Sequence, residues 1–285
     1  MKAYRGIIML LAAEFSFAAA TVFAKFVTNS STIPAVEITF FRFFFGIWIS
    51  YWALKKTGFS FKPVNKKFVI WRGILNTFAV ILFFTAVKHT TITNANMLNM
   101  TYPIFIFLFA PFFGIEKITL SKLAFLILSI VGIYLVIQPT FDHILMGDLI
   151  SLASGIVGGV SVLTLRKARE TESTFLILFY LMAIGTIING LFMVPVFEVP
   201  TFTQSLFIIA SALMGVAGQA FITYGYKFIE ASKGSIISSS RIIFAVLLGI
   251  IIFDERMNTR LIIGAGLILY SVTSLAWFEA KQIKK

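Results

Sequence analysis

Three ionisable side chains stand inside stretches that are otherwise apolar: Glu14 in IIMLLAAEFSFAAATVF, Arg42 in ITFFRFFFGIW and Arg241 in GSIISSSRIIFAVLLG. A charge at the centre of a bilayer costs at least a few kcal/mol unless it is paired or wetted. One acid facing two bases can pair internally only once. The positive excess can grip a substrate carboxylate or phosphate, for which the planar guanidinium fork is suited. The plainer alternative is that Glu14 pairs with one arginine and locks a helix bundle. Neutral polar groups thicken the same layer: Asn76, then Asn96, Asn99, Thr101 and Tyr102, then Gln219, Thr223 and Tyr224, with Ser238, Ser239 and Ser240 beside Arg241. Such groups serve either as glue between helices or as ligands. The candidate substrate-binding set is therefore Glu14, Arg42, Asn76, Asn99, Tyr102, Gln219, Tyr224, Ser238 and Arg241.

Other chemistries are excluded by what is missing. There is no cysteine, and the two histidines have no metal-ligand spacing, so no metal site and no disulfide is expected. No Gly-rich phosphate loop, G-x-S-x-G or H-E-x-x-H is present, and no cofactor is implied. Ser238 to Ser240 beside Arg241 is the nearest approach to a nucleophile. It keeps an intramembrane enzyme, or a protein that binds lipid head groups, as an alternative to transport, and a passive channel is a third reading.

The elements that must position these residues follow from composition. Hydrophobic residues make up 59% and charged residues 13%, with 33 Phe and a mean hydropathy of +0.94, far outside the soluble range of roughly 25% charged. Ten apolar segments of spanning length fall at 6–28, 34–54, 68–88, 94–114, 120–137, 147–166, 174–195, 205–226, 233–253 and 260–278. Glu14, Arg42 and Arg241 each lie eight residues from the start of their segment, roughly 12 Å in at 1.5 Å per residue, near the midplane. Trp48, Trp52, Trp71 and Trp277 fall near segment ends as interface anchors. The Phe40–Phe45 run is expected largely to face lipid. The sixth segment places Ser151, Gly155 and Gly159 on one close-packing face, which allows one group of helices to rock across another.

Asn94 to Glu116 and Lys233 to Glu255 share one pattern, small and polar for about two turns, then apolar, then acidic. Placing Glu116 on Glu255 superposes Asn99 on Ser238, Thr101 on Ser240 and Tyr102 on Arg241, an internal repeat of about 139 residues. The expected fold is all-α, ten transmembrane helices in two copies, 1–142 and 143–285. Five helices is an odd number, so the second copy enters from the opposite face and the repeat is inverted.

Basic residues set the orientation. One side carries Lys2 and Arg5, the six bases from Lys55 to Arg72, Lys117 and Lys122, Arg166, Lys167 and Arg169, Lys227 and Lys233, and Lys281, Lys284 and Lys285. The other side carries Lys25, Lys88, Arg256 and Arg260. This bias predicts that both termini are cytoplasmic, and it accounts for the net charge of +12 without nucleic acid.

Glu37-Ile-Thr-Phe-Phe-Arg42, Arg72-Gly73 opening the third segment, Pro103 in the fourth and the acids Glu116 and Glu255 together resemble the drug/metabolite transporter superfamily, EamA type. The first half is also similar to S-adenosylmethionine uptake carriers. Where that family often has a proline in the ninth helix, this chain has Arg241-Ile242. The resemblance implies a secondary or exchange carrier of a small organic metabolite, working by alternating access in a bacterial-type plasma membrane, with solute and lipid as its partners. The oligomeric state is left open, a monomer included.

Overall fold

The computed structural model describes residues 2–87, 89–90, 92–115, 119–138, 145–253 and 259–282. Among them are twelve α-helices: α1 (Lys2–Ser30), α2 (Ala35–Thr57), α3 (Lys66–Val87), α4 (Ile92–Asn99), α5 (Tyr102–Phe109), α6 (Leu120–Ile137), α7 (Met146–Ala168), α8 (Thr174–Met193), α9 (Phe202–Gly225), α10 (Ala231–Ser238), α11 (Ser240–Phe253) and α12 (Thr259–Gln282). No strand occurs among the described residues. Seven stretches are long and apolar enough to cross a membrane, with α10 and α11 counted as one. The chain is a multi-pass helical membrane protein. Helices suit this setting because they satisfy every backbone N–H and C=O within themselves. The closing acids Glu116 and Glu255, and the side chain of Trp277, lie outside the described residues.

The fourth and ninth segments, expected as single helices, are both broken, and at matching places. After α4 the Thr101 N–H turns back to Leu98 O at 3.2 Å and the Thr101 hydroxyl donates to the same carbonyl at 2.6 Å. Pro103, in the first turn of α5, has no N–H to continue the ladder. Between α10 and α11 there is no proline. The Ser239 N–H instead bonds Ile236 O at 3.1 Å, Ile242 N–H bonds Ser239 O at 3.2 Å, and the Ser239 hydroxyl is engaged by Ser129 of α6 at 2.6 Å. α4 ends at Asn99 and α10 at Ser238, the two residues that the sequence repeat superposes.

The halves interleave. α1 packs on α9, α3 on α7, α2 on α8 and α6 on α12, so each contact joins the first half to the second. Close approach depends on glycine. A Cβ on Gly46 would lie 2.4 Å from Met182 Sδ, and one on Gly185 would lie 2.4 Å from Phe43 Cδ1. Phe43 is thus fully buried, against the expectation that its run faces lipid, while Phe44 stays exposed. Where α6 crosses α12, a Cβ on Gly132 would meet Gly264 O at 2.8 Å and one on Gly264 would meet Gly132 O at 2.6 Å. Gly155 and Gly159 of α7 abut backbone carbonyls at the α4/α5 break, with Cβ positions 3.0 Å from Leu98 O and 2.9 Å from Tyr102 O. That face packs on protein. Trp48, Trp52 and Trp71 are exposed, as anchors at an interface would be.

The α6/α12 crossing yields a matched pair of variants. Gly264→Ala must push two backbones apart and is expected to lower the melting temperature of the purified protein, at a cost of about 1–3 kcal/mol. Gly266→Ala, two residues along the same helix with open space at its Cβ, is expected to be neutral or to gain up to about 1 kcal/mol from helix propensity. Equal melting temperatures for the two variants would show that the crossing is loose.

Candidate functional site

Glu14, the thirteenth residue of α1 and 0% exposed, accepts a hydrogen bond from Arg241 Nε at 2.6 Å through Oε2. Its second oxygen, Oε1, is buried without a partner. Arg241 reaches it because the α10/α11 break places the residue in the first turn of α11, and its guanidinium carbon stands 4.6 Å from the Phe17 ring centroid. The pair therefore ties the first helix to the ninth segment. At this depth a lone carboxylate would be costly, and a partner at 2.6 Å is what makes the acid tolerable.

Around the pair gather phenols and hydroxyls from several helices. Tyr102 of α5 and Tyr226, the C-cap of α9, both feel the charge of Glu14, and the Ser238 hydroxyl lies beside both phenols. Tyr226 is 0% exposed, and the hydroxyls of Tyr226 and Ser238 close no hydrogen bond of good geometry. Arg42 of α2 lies against Gly215 of α9, with a Cβ there only 2.3 Å from its Cδ, and its guanidinium carbon is 5.0 Å from the Phe43 ring. The charge acting most on Arg42 is that of Arg241, a repulsion. Its Nε has no partner, and among the described residues no carboxylate pairs with it. Asn76 Nδ2 is likewise buried and unbonded.

Two members of the expected set stand apart. Asn99 donates to Ser154 Oγ at 2.8 Å, and Ser154 donates in turn to Ala79 O at 2.7 Å, so its amide is committed to holding α4 on α7. Tyr224 is 37% exposed and stacks edge-on with Phe228 at 5.2 Å, beside Arg169 at the end of the bundle rather than in its middle.

Two residues escaped sequence reasoning. Arg72, counted there among the loop bases, is 3% exposed; it donates from Nη1 to Ser161 Oγ at 2.8 Å and from Nη2 to Gln219 Oε1 at 3.3 Å, and it acts electrostatically on Tyr226. Its position, a turn and a half beyond Lys66, was the available signal. Tyr226 sits at a segment end, where a tyrosine reads as an interface anchor, and nothing in the sequence marked it. The site thus joins α1, α2, α3, α5, α9, α10 and α11, with a surplus of guanidinium over carboxylate and hydrogen-bonding capacity left open at Glu14, Arg42, Arg72, Asn76, Tyr226, Ser238 and Ser240. That composition can hold a small polar solute by its charged ends.

The model of the EamA-like transporter family matches this sequence twice, at residues 4–138 and 145–277. The chain belongs to the EamA-like transporter family. It is similar to the pseudopaline exporter of Pseudomonas aeruginosa, at 23% identity over 95% of each chain, and to the riboflavin transporter of Rhizobium johnstonii, at 27% identity over 100% of this chain and 95% of that one. Mouse solute carrier family 35 member G1 is 27% identical over 97% of this chain and 80% of its own length. A solved crystal structure superposes with a TM-score of 0.81 over 98% of this chain and 99% of that one, at 17% identity, and so shares the fold. Together these make the protein a small-molecule transporter of the drug/metabolite group, and they favour transport over the enzyme alternative.

The transporter's α10, which carries Ser238, is anchored at its start by Glu230, which bridges Lys122 of α6 at 2.7 Å and Lys233 at 3.0 Å. Burial alone would raise this carboxyl, but its bonds to Lys122 and then Lys233 outweigh it and hold the group below the usual carboxylate range. A depressed acid contributes stability above its unfolded pKa, near 4.3, and loses it as pH falls through the folded value. Wild type is therefore expected to melt higher than Glu230→Gln at pH 7, with the gap closing below about pH 4. A gap that is the same at pH 7 and at pH 3.5 would mean the bridges add nothing.

Proposed function

We propose that this transporter is a secondary carrier that moves a small zwitterionic or anionic organic metabolite across a bacterial-type plasma membrane by alternating access. The observation that carries this reading is a pair of groups left incomplete: the half-buried Arg42, with a buried, unbonded Nε and no carboxylate partner among the described residues, and Glu14 Oε1, with no donor. Internal pairing uses Arg241 and one oxygen of Glu14. A solute bearing a carboxylate and an amine completes the other two, the carboxylate on the arginine fork and the amine on Glu14. Tyr102, Tyr226, Ser238 and Asn76 supply hydroxyl and amide contacts to its body. Relatives named as a riboflavin transporter and a pseudopaline exporter support an organic solute and leave direction open. The sequence holds no phosphate-binding loop, and in this reading exchange or an ion gradient drives movement.

Ten spans arise when α4 is joined to α5 and α10 to α11 across their breaks. The two halves, 1–142 and 143–285, then hold five each, and an odd count inverts the second against the first. Reciprocal contacts support this. Gly46 receives Met182 and Gly185 receives Phe43; Gly185 and Met182 stand at the offset from Gly46 and Phe43 that superposes Ser240 on Thr101. Likewise Arg72 meets Ser161 while Ser211 donates to Ala20 O, allowing for the slightly longer offset at the start of the two family matches. A two-fold axis in the membrane plane generates such pairs.

Orientation is tested with single cysteines in this cysteine-free chain. Val64, between α2 and α3, and Val199, between α8 and α9, are 82% and 84% exposed. Val64→Cys is expected to react with an impermeant maleimide only from the cytoplasm and Val199→Cys only from outside. Labelling of both from one face would discard the ten-span inverted reading.

The site is tested by charge removal. A solute panel screened by thermal shift finds a ligand, which at 100 times its Kd adds about 2.7 kcal/mol of stability, and counterflow in proteoliposomes measures its transport. Glu14→Gln alone is expected to lower folded yield, because Arg241 is left unpaired in low dielectric. Glu14→Gln with Arg241→Gln is expected to recover yield and stay inactive. Arg42→Gln is expected to fold at least as well as wild type and to lose transport at least tenfold. Wild-type counterflow by a well-folded Arg42→Gln protein would sink the reading.

A further inference from the structure

Away from the central layer, a half-open cavity of about 330 Å³ lies where the α2–α3 loop, the α7–α8 turn and the segment after α9 converge. Its walls are fixed. Asn65 N–H donates to Glu172 Oε1 at 2.6 Å, Tyr180 O–H donates to Phe61 O at 3.2 Å, and the rings of Tyr51, Phe61 and Phe179 pack at 5.5–6.5 Å. Three bases line it from three separate connections: Lys62, Arg169 and Lys227. Two acids line it as well, and both are engaged. Glu170 pairs with Lys167 at 3.2 Å, and Glu172 accepts the Asn65 N–H and the Thr171 hydroxyl.

The bases have no such partner. Among the described residues no carboxylate pairs with Lys62, Arg169 or Lys227. Arg169 is 7% exposed; its Nη1 donates to Glu172 O, yet its Nε is buried without an acceptor. A buried, unbonded guanidinium N–H carries the full cost of desolvation until an acceptor arrives. Burial pushes Arg169 down to about 10, with Arg166 beside it adding to the effect, so it stays cationic at neutral pH and gains from a nearby anion. The N-terminus of α8, capped by Ser173, opens onto the same space. Its first N–H groups have no intrahelical acceptor and its dipole favours negative charge.

We propose that this cavity binds a phosphate group, with Lys62, Arg169 and Lys227 as its charged ligands and the start of α8 supplying backbone donors. A phosphate fits better than a carboxylate because the donors converge from three directions, and a tetrahedral oxyanion offers acceptors to all of them. Phospholipid head groups and free phosphate share this chemistry. The exposed Phe59 and Val64 on the cavity wall give a lipid an apolar margin, and basic pockets between helices on the basic face of a membrane protein commonly hold anionic lipid.

The test uses the purified full chain in a non-ionic detergent, with two probes. Phosphatidylglycerol is titrated against phosphatidylcholine by native mass spectrometry, and inorganic phosphate is followed by equilibrium dialysis. At about fivefold per base, K62Q/K227Q is expected to weaken the bound probe about 25-fold and R169Q at least fivefold. K55Q/K56Q, whose lysines lie on the same face outside the cavity, is expected to change it less than twofold. Retention of phosphatidylglycerol alone assigns the site to lipid, and retention of phosphate assigns it to a soluble ligand. Lys62 and Lys227 are loop residues, so the double variant keeps the test sound even if R169Q fails to fold. Failure to retain either probe, or an equal loss in K55Q/K56Q and K62Q/K227Q, would overturn the proposal. Neither result bears on transport, which is measured separately.

Discussion

The 2.6 Å contact between Glu14 and Arg241 is the constraint on which the rest of the bundle depends. Neither group survives alone in low dielectric, so the sequence must deliver one to the other across more than two hundred residues of chain. Two features make that possible. α1 lies along α9 and α11, which brings Glu14 into reach, and the Ser238–Ser240 break puts Arg241 at the head of a new helix rather than inside a continuous one. Shared burial of Tyr226, Gly225 and Gly234 around the break then fixes the approach: a Cβ on Gly234 would sit 2.4 Å from the Tyr226 ring, and one on Gly225 would sit 3.0 Å from Leu10.

On the repeat reading proposed above, the bundle is symmetric in its packing and asymmetric in its chemistry. Gly46 with Met182 and Gly185 with Phe43 are one contact made twice. The Glu14–Arg241 contact has no such twin. Tyr102 stands at the repeat equivalent of Arg241, and what faces the α4/α5 break from α7 is Gly155, packed on the carbonyls of Leu98 and Asn99. One copy carries an ion pair where the other carries glycine against backbone. On that reading duplication supplies the frame, and divergence at a few positions supplies the proposed site with its charged wall and its phenolic wall.

The helices and the charges set in apolar sequence were legible because hydrocarbon enforces them: spanning length marks the segments, and Glu14, Arg42 and Arg241 stand out against apolar neighbours. The polar-then-apolar pattern of the fourth and ninth segments was also visible, but not the break in each. In the fourth, Pro103 gave a local cause. In the ninth no proline stands at the break, and what meets it is tertiary, a Ser129 hydroxyl on α6 donating to Ser239 Oγ, which no window of sequence contains. Arg72 was misplaced for a related reason. Periodicity locates a helix to within a turn, and a turn decides whether a basic residue lies in a loop or is buried against Ser161 and Gln219. Asn99 and Ser154 show the converse: both are polar, mid-segment and close, and they satisfy each other, which only coordinates reveal.

A group satisfied at rest and a group unsatisfied at rest do different work. Asn99 and one oxygen of Glu14 have found partners inside the protein, so they hold helices together and gain little from a solute, while Arg72 is bonded through both Nη atoms and keeps a buried Nε without an acceptor. Arg42, Asn76 and Glu14 Oε1 have not, and each carries a desolvation cost that folding alone would remove by substitution with an apolar residue of similar size. Under the proposed carrier reading, a solute completes them during the working cycle. A ligand that does so recovers that cost as differential affinity for this arrangement over any in which the same groups are apart. Under the proposed carrier reading, that difference is what lets binding on one side of the membrane bias the position of one half of the bundle against the other.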